Sequence, residues 1–150
     1  MAFLDQDDEF SSDFCEALYR KARRERADIC KGECVIITPD GQRQQLRTNE
    51  GIRRLGSPLG FVFMWQCAIY SMQMLRAHAI GFDPRAGMSQ DALFQHRALL
   101  ACRRMALADQ PCHCHYITPG STSRQRLTAQ RISEGIYSYT AIDGCQVSSE

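Results

Sequence analysis

Two pairs of closely spaced cysteines constrain this chain more than any other feature of its sequence. The first pair is Cys30 and Cys34, and the second is Cys112 and Cys114, which follow Pro111. Four thiolates in two close pairs suit one tetrahedral zinc ion, and binding of a structural zinc is coupled to folding. The sequence therefore predicts a structural zinc site that joins two distant parts of the chain.

The ligand set remains open at three positions. His113, His115 or Cys145 is able to replace one of the four cysteines, because imidazole nitrogen binds zinc as thiolate sulfur does. The remaining cysteines fall in apolar or amphipathic stretches, where small buried hydrophobes are expected: these are Cys15, Cys67 and Cys102.

The length and charge of the chain suggest one domain with a basic body. The chain has 150 residues, of which 44% are hydrophobic, and this suits one globular domain. Residues 1–12 are predicted to form an acidic tail, and residues 13–150 a single helical domain. Six acidic and no basic residues lie in positions 1–16, so the remainder is basic although the formal net charge is +1. A basic body favours a polyanionic partner.

Local signals in the first third of the chain predict a helix, a hairpin and a second helix. Asp13 with Glu16 three residues later resembles a capping box, and the helix should run over residues 13–28. The Pro-Asp-Gly sequence at 39–41 separates a β-branched run from a polar alternating run, which is typical of a β-hairpin. A short helix is then expected over residues 48–55.

Two longer helices are predicted further along the chain. Ser57 followed by Pro58 is a favourable helix start, and the apolar run that follows predicts a central helix from Pro58 to about Ile80. Another helix should begin at Ser89 and end at Pro111. The predicted fold class is therefore mainly α, a compact helical domain with a small β-hairpin and a cysteine zinc site.

The sequence gives little support for catalysis. Cys112 beside His113 and His115 is the minimal arrangement of a thiol hydrolase. Adjacent residues, however, rarely have the geometry for proton transfer, and no orienting acid is evident. The chain also lacks the HExxH and GxSxG motifs and a glycine-rich phosphate-binding loop. We therefore predict that the protein is not an enzyme.

About residues 46–118 resemble the FlhC-type transcriptional activators in the order of their motifs. A Gly-Ser-Pro segment at 56–58 follows a basic stretch, and Phe-Met-Trp-Gln at 63–66 opens an apolar helix. A further helix then leads into Cys-His-Cys-His-Tyr-Ile-Thr at 112–118. The resemblance implies a helical DNA-binding subunit that works with a smaller helical partner at promoters.

The resemblance also implies a C-terminal zinc site, with one departure. The family uses two CxxC pairs, whereas Cys112 and Cys114 form a CxC pair and no second CxxC follows. Cys145, or the distant pair Cys30 and Cys34, would have to complete the site.

The function predicted from these features is that of a zinc-stabilised nucleic-acid-binding protein, a transcriptional regulator for which DNA is the favoured partner. Guanidinium groups suit phosphate contacts, and such contacts make affinity fall steeply with salt. The residues predicted to contact phosphate are Arg20, Arg23, Arg24, Arg53, Arg54, Arg124, Arg126 and Arg131.

The alternative is a protein–protein interaction module, such as an adaptor, an inhibitor or a structural component of a mobile element or virus particle. Its partner would be a helical protein or a second copy of the chain. The longest apolar stretch is interrupted by polar residues and is too short to span a membrane, and the N-terminus has no secretory signal. A cytoplasmic location and no membrane partner are therefore expected.

Overall fold

A computed structural model of the protein describes residues 1–55, 65–118 and 128–143. In these three ranges the chain forms five strands and five α-helices, with two short 3-10 helices at Trp65–Cys67 and Pro84–Ser89. The strands and helices, in chain order, are β1 (Glu9–Phe10), α1 (Phe14–Glu25), β2 (Ile29–Ile37), β3 (Arg43–Leu46), α2 (Thr48–Leu55), β4 (Ala68–Tyr70), α3 (Met72–Ala77), α4 (Gln90–Ala101), β5 (Met105–Tyr116) and α5 (Ala129–Asp143).

The prediction of a mainly α fold is wrong, because the structure is built on a five-stranded mixed sheet. Strand β2 lies at its centre and is buried along most of its length. It pairs in parallel with β5 along one edge, and antiparallel with β4 and then β3 along the other. Strand β1 extends the sheet beyond β5. A strand covered on both faces is expected to be almost continuously apolar, which β2 largely is.

The β2–β5 ladder is interrupted at Gly32. Lys31 pairs with Leu107 and Glu33 with Cys112, so Gly32 alone lies opposite residues 108–111 of β5. This stretch of β5 includes a proline, which lacks the N–H that a ladder needs and is confined within sheets to edges and bulges. The buried Asn49 side chain fills the gap, because its amide nitrogen lies 2.9 Å from the Ala108 carbonyl oxygen.

Apolar side chains cover both faces of the sheet and form two cores. On one face, Ile29 and Tyr70 pack with α3, α4 and the 3-10 residue Trp65. On the other face, Cys30 packs with Phe14 and Leu18 of α1 and with two alanines of β5. Adjacent residues of β2 therefore serve opposite cores, as the two-residue period of a strand requires.

The acidic N-terminal segment, which the sequence suggested was a tail, packs against the sheet. The Met1 amino group donates to the Tyr70 carbonyl oxygen at 2.7 Å, and Ala2 bridges to Ile69. Glu9 and Phe10 then pair with β5. Residues 1–10 therefore contact strand β4 at their start and strand β5 at their end.

Several local predictions are confirmed. Helix α1 covers most of the predicted helix 13–28, although its N-cap residue Asp13 makes no side-chain capping bond. Strands β2 and β3 form the predicted hairpin, and α2 occupies residues 48–55. Helix α4 starts directly after Ser89, as expected.

The two longer helices are not formed as predicted. Of the central helix from Pro58 to Ile80, the part up to residue 64 lies outside the described ranges. The rest contains β4 and the short α3, whose N-cap Ser71 accepts a bond from the Met74 amide. An apolar run without clear periodicity suits a buried strand as well as a buried helix, and pairing with β2 decides for the strand.

The helix that was expected to continue to Pro111 ends at Ala101. The Asp28 carboxylate accepts bonds from the backbone amides of Arg103 and Arg104 at 3.0 and 3.3 Å. These bonds fix the turn into β5, and residues 105–116 then pair with β2 instead of continuing the helix. Among the described residues, no helix has the length and apolarity that crossing a membrane requires.

Asp83 ties the second 3-10 helix to α4 and α5. Its carboxylate accepts bonds from the Arg85 guanidinium at 2.8 and 2.9 Å and from the Tyr137 hydroxyl at 2.8 Å, and Arg97 lies 3.9 Å away. The hydrogen bond from Arg85, followed by that from Tyr137, holds the pKa of Asp83 well below its ordinary value of 3.8.

We predict that Asp83→Asn lowers the melting temperature at pH 7, and that the difference from the wild type narrows as the pH falls below 3.8. A carboxyl group with a lowered folded-state pKa stabilises the fold above its ordinary pKa, and this stabilisation is lost as the pH falls through the folded-state value. Thermal unfolding at several pH values measures both effects. Glu50→Gln is the matched control, since that exposed carboxylate makes only a 3.9 Å surface ion pair. A melting-temperature difference between Asp83→Asn and the wild type that does not change with pH would contradict the stabilising role of the Asp83 carboxylate.

Candidate functional site

The described residues contain one buried group of potential metal ligands: Cys34, Cys67 and His113. One ligand atom of each lies within 4.8 Å of the others, and the Cys34 sulfur is 4.0 Å from Nδ1 of His113. All three side chains are fully buried. Cys34 lies on β2, Cys67 in the 3-10 helix Trp65–Cys67, and His113 on β5. The group therefore depends on the β2–β5 pairing that places Cys34 beside His113.

The two thiols of this group have opposite pKa shifts. A hydrogen bond from Cys67, followed in size by one from His113, lowers the pKa of Cys34 to about 6. The same bond, together with burial, raises the pKa of Cys67 well above its ordinary value. The Cys67 thiol therefore favours negative charge on the Cys34 sulfur over negative charge on its own.

The predicted quartet is not brought together, and only Cys34 belongs to the observed group. Cys30 lies four residues away on the same strand, which corresponds to about 13 Å, and its thiol packs in the core against α1. Burial there raises the pKa of Cys30 to about 11. Cys112 and Cys114 alternate with His113 along β5 and therefore face the opposite side of the sheet.

Of the three replacements that the sequence left open, only His113 belongs to the group. His115 lies two residues further along β5, and Cys145 lies outside the described residues. Among the cysteines expected to be core residues, Cys67 is buried and belongs to the group, whereas Cys15 is exposed.

A buried carboxylate lies behind the histidines. Asp8 Oδ2 is 3.0 Å from Nε2 of His113 and 3.1 Å from Nδ1 of His115. Its other oxygen accepts a 3.0 Å bond from the Tyr116 amide. The buried Asp8 side chain therefore holds the N-terminal segment against the end of β5.

The residues that precede Asp8 open onto a large cleft of about 1430 Å³. Five parts of the chain form its walls: the N-terminal segment, the first 3-10 helix, the region from Phe82 to the start of α4, the end of β5 at His115, and the start of α5 with the residue before it. The lining residues are Phe3, Leu4, Asp5, Gln6, Asp7, Trp65, Gln66, Phe82, Pro84, Gly87, Met88, Gln90, Asp91, His115, Thr128, Gln130, Arg131 and Glu134.

Two carboxylates stand on the N-terminal wall of the cleft. The Asp5 carboxylate accepts a 3.0 Å hydrogen bond from the side-chain amide of Gln66, and the Asp7 carboxylate accepts a 3.1 Å hydrogen bond from the Thr118 hydroxyl. Each carboxylate keeps an oxygen beyond these bonds, since only one oxygen of each is engaged by them. Two carboxylates separated by one residue can both face a cation or a polar ligand in the cleft.

The cleft lining also includes Asp91, in the first turn of α4, and Glu134 of α5. Glu134 packs directly over Gly87, where an added Cβ would lie 2.0 Å from the Glu134 carboxylate oxygen. Gly87 also has φ 50° and ψ −122°, a backbone conformation that only glycine adopts without strain. Glycine is therefore required at this position to admit the carboxylate into the cleft wall.

Three of the predicted phosphate-binding arginines lie close to acidic side chains. Arg20 pairs with Glu16, Arg24 lies 3.8 Å from Glu25, and Arg53 pairs with Asp109 at 2.9 Å. Arg23 and Arg54 are exposed, Arg131 lines the cleft, and Arg124 and Arg126 lie outside the described residues. The basic residues of α1 and α2 are thus largely matched by acids.

Crystal structures of TarS from S. aureus have a fold similar to that of this chain. TarS 1–349 in complex with UDP-GlcNAc matches with a TM-score of 0.71 and 14% identity over 97% of this chain and 43% of that one. TarS 1–349 in complex with UDP matches with a TM-score of 0.60 and 16% identity over 79% of this chain and 36% of that one. At such low identity the similarity establishes the fold alone.

The chain spans less than half the length of the TarS structures that it matches. No family model and no curated protein sequence matches the chain. The resemblance to FlhC-type activators therefore stays a prediction.

The cleft carboxylates were missed because their segment was interpreted by charge alone. Three aspartates within residues 5–8 are a local signal for a cation site, but six acids in sixteen residues also suit a solvated tail. The contact of Asp8 with His115 joins residues 107 positions apart, which no local pattern reveals.

We predict that Asp8→Asn destabilises the fold by roughly 2–4 kcal/mol, because it removes the negative charge that two histidines and one amide share in a buried position. Urea-induced unfolding measures the loss. Asp13→Asn, at an exposed position without a side-chain capping bond, should change the free energy of unfolding by less than about 0.5 kcal/mol. Equal effects of the two substitutions would contradict the structural role of Asp8.

Proposed function

We propose that this protein binds a sugar nucleotide in the cleft and takes part in glycosyl transfer. The observation that carries the proposal is the pair Asp5 and Asp7 in a large cleft, on a fold similar to that of TarS solved with UDP-GlcNAc. The sequence predicted no enzyme, since it contains none of the motifs sought. A cleft lined by carboxylates, aromatic side chains and one arginine supports the opposite proposal.

The Asp5 and Asp7 carboxylates are the proposed ligands of a divalent cation such as Mg²⁺ or Mn²⁺, because hard cations prefer oxygen ligands and retain positions for phosphate oxygens. A cation bound there would neutralise charge on the diphosphate of the nucleotide. Gln66 and Thr118 orient the two carboxylates through the bonds described above. Arg131, which also lines the cleft, supplies a guanidinium group suited to phosphate oxygens.

Asp91 is the proposed proton acceptor for the acceptor hydroxyl group. It lines the same cleft as Asp5 and Asp7, in the first turn of α4. A carboxylate within hydrogen-bond reach of a hydroxyl can remove its proton as the new glycosidic bond forms.

Zinc remains a proposal with a changed ligand set, for which Cys34, Cys67 and His113 are the candidates. The nucleic-acid and adaptor functions stay predictions. Their main support was a basic body, and the ion pairs of Arg20, Arg24 and Arg53 reduce the positive charge available to a polyanion. The sugar-nucleotide proposal is therefore preferred.

We predict that UDP binds to the full chain in the presence of Mn²⁺, and that Asp7→Asn weakens this binding at least about tenfold through the loss of a cation ligand. Isothermal titration calorimetry measures the affinity with and without Mn²⁺. Asp13→Asn, a carboxylate remote from the cleft lining, is the matched control and should bind UDP as the wild type does. Absence of UDP binding by folded wild-type protein would overturn the proposal.

A second substitution separates binding from chemistry. We predict that Asp91→Asn leaves the affinity for UDP within about a factor of three but slows the hydrolysis of UDP-GlcNAc to UDP and GlcNAc, with water as the acceptor, by roughly 100-fold or more, as expected for loss of a general base. A coupled assay for free UDP measures the rate, and calorimetry measures the affinity. An unchanged rate would exclude Asp91 as the proton acceptor.

A further inference from the structure

The proposed cleft function makes no use of the buried group of Cys34, Cys67 and His113. Two cysteines and a histidine, all fully buried, converge from three separate segments onto one point. Core packing alone does not require such residues to direct their sulfur and nitrogen atoms at one another. A buried polar group of this kind calls for a partner.

We propose that Cys34, Cys67 and His113 bind one zinc ion through their two sulfur atoms and Nδ1. Zinc holds sulfur at about 2.3 Å and imidazole nitrogen at about 2.0 Å, which places neighbouring ligand atoms about 3.5–4 Å apart. The Cys34 sulfur and His113 Nδ1 are 4.0 Å apart, and all three ligand atoms lie within 4.8 Å of one another. Shifts smaller than about 1 Å bring the three atoms to bonding distance. In zinc sites with three protein ligands, a water molecule or a substrate group takes the fourth position of the tetrahedron, and the same is expected here.

The contact of His113 with Asp8 suits this role. Nε2 of His113 lies 3.0 Å from Asp8 Oδ2, although the two atoms are not aligned for a hydrogen bond, while Nδ1 faces Cys34. Metal-bound histidines characteristically present their second nitrogen to a carboxylate, which fixes the tautomer and leaves the other nitrogen unprotonated for the metal. With zinc bound, the contacts would run from the Asp8 carboxylate through the His113 ring to the metal, which is the arrangement usual in such sites.

The charges around the group balance when zinc is bound. Two thiolates neutralise one Zn²⁺ ion, and burial of a neutral site costs little. The Lys31 side chain is buried as well, and its ammonium group donates to the Gly32 carbonyl oxygen at 2.9 Å and to the Thr48 hydroxyl. The arrangement that competes with zinc is a metal-free pair of hydrogen-bonded thiols, and the experiment must exclude it.

The donor set selects the metal. Two sulfurs and one nitrogen suit zinc and exclude the hard cations proposed for Asp5 and Asp7, which require oxygen. The two proposals therefore concern chemically different ions. The zinc site does not rest on sugar-nucleotide binding, and each proposal can fail without the other.

The test measures zinc in protein purified under reducing conditions without nucleotide. We expect about one zinc ion per chain for the wild type, and less than about a tenth of that for Cys67→Ser and for His113→Ala. Cys30→Ser and Cys114→Ser are the matched controls, since one is an equally buried cysteine on β2 and the other belongs to the quartet predicted from the sequence. Both should retain full zinc.

The wild-type protein supplies the second measurement in case the variants fail to fold. Replacement of zinc by Co²⁺ should produce the near-ultraviolet charge-transfer band of cobalt–thiolate bonds with the visible bands of a tetrahedral site. Chelation should lower the melting temperature, and added zinc should restore it. Absence of metal with an unchanged melting temperature after zinc addition would overturn the proposal in favour of a metal-free pair of hydrogen-bonded thiols. Loss of zinc from Cys114→Ser but not from Cys67→Ser would overturn it as well.

Discussion

The parallel pairing of β2 with β5 is the interaction on which the rest of the structure depends. It places Ile29 beside Met105 and Cys30 beside Ala106, which builds both cores from neighbouring residues. Beyond the interruption at Gly32 the same pairing places Cys34 beside His113. One half of the ladder thus stabilises the fold, and the other half assembles the buried cysteine–histidine group.

Asp8 connects that group to the cleft. Its carboxylate lies between His113, which faces Cys34, and His115, which lines the cleft. The preceding carboxylate, Asp7, faces the cleft itself. Residues 5–8 form a turn in which the Asp8 amide donates to the Asp5 carbonyl oxygen at 3.1 Å. The two adjacent aspartates thus serve opposite sides, one inside the protein and one at the proposed ligand site.

The sequence revealed the parts of the fold that local chemistry determines. The hairpin, α1 and α2 follow from turn residues and helical periodicity, and all three were predicted. Strand β5 was not, because Met105, Ala106 and Leu107 suit a helix as well as a strand, and only pairing with a strand 76 residues earlier decides between them. The prediction of the cysteine quartet was wrong for a similar reason. Cys30 and Cys34 would be close neighbours in a turn, but they lie four positions apart in an extended strand.

The sequence Cys-His-Cys-His at 112–115 repeats with the period of a strand, so β5 carries thiols on one face and imidazoles on the other. A shift of β5 by one residue against β1 would exchange the two sets. The Asp8 carboxylate would then lie buried against two sulfur atoms instead of two imidazoles, a costly arrangement for an anion without a cationic or hydrogen-bonding partner. The alternating composition therefore protects the strand register, since the correct alignment alone gives the buried carboxylate compatible neighbours.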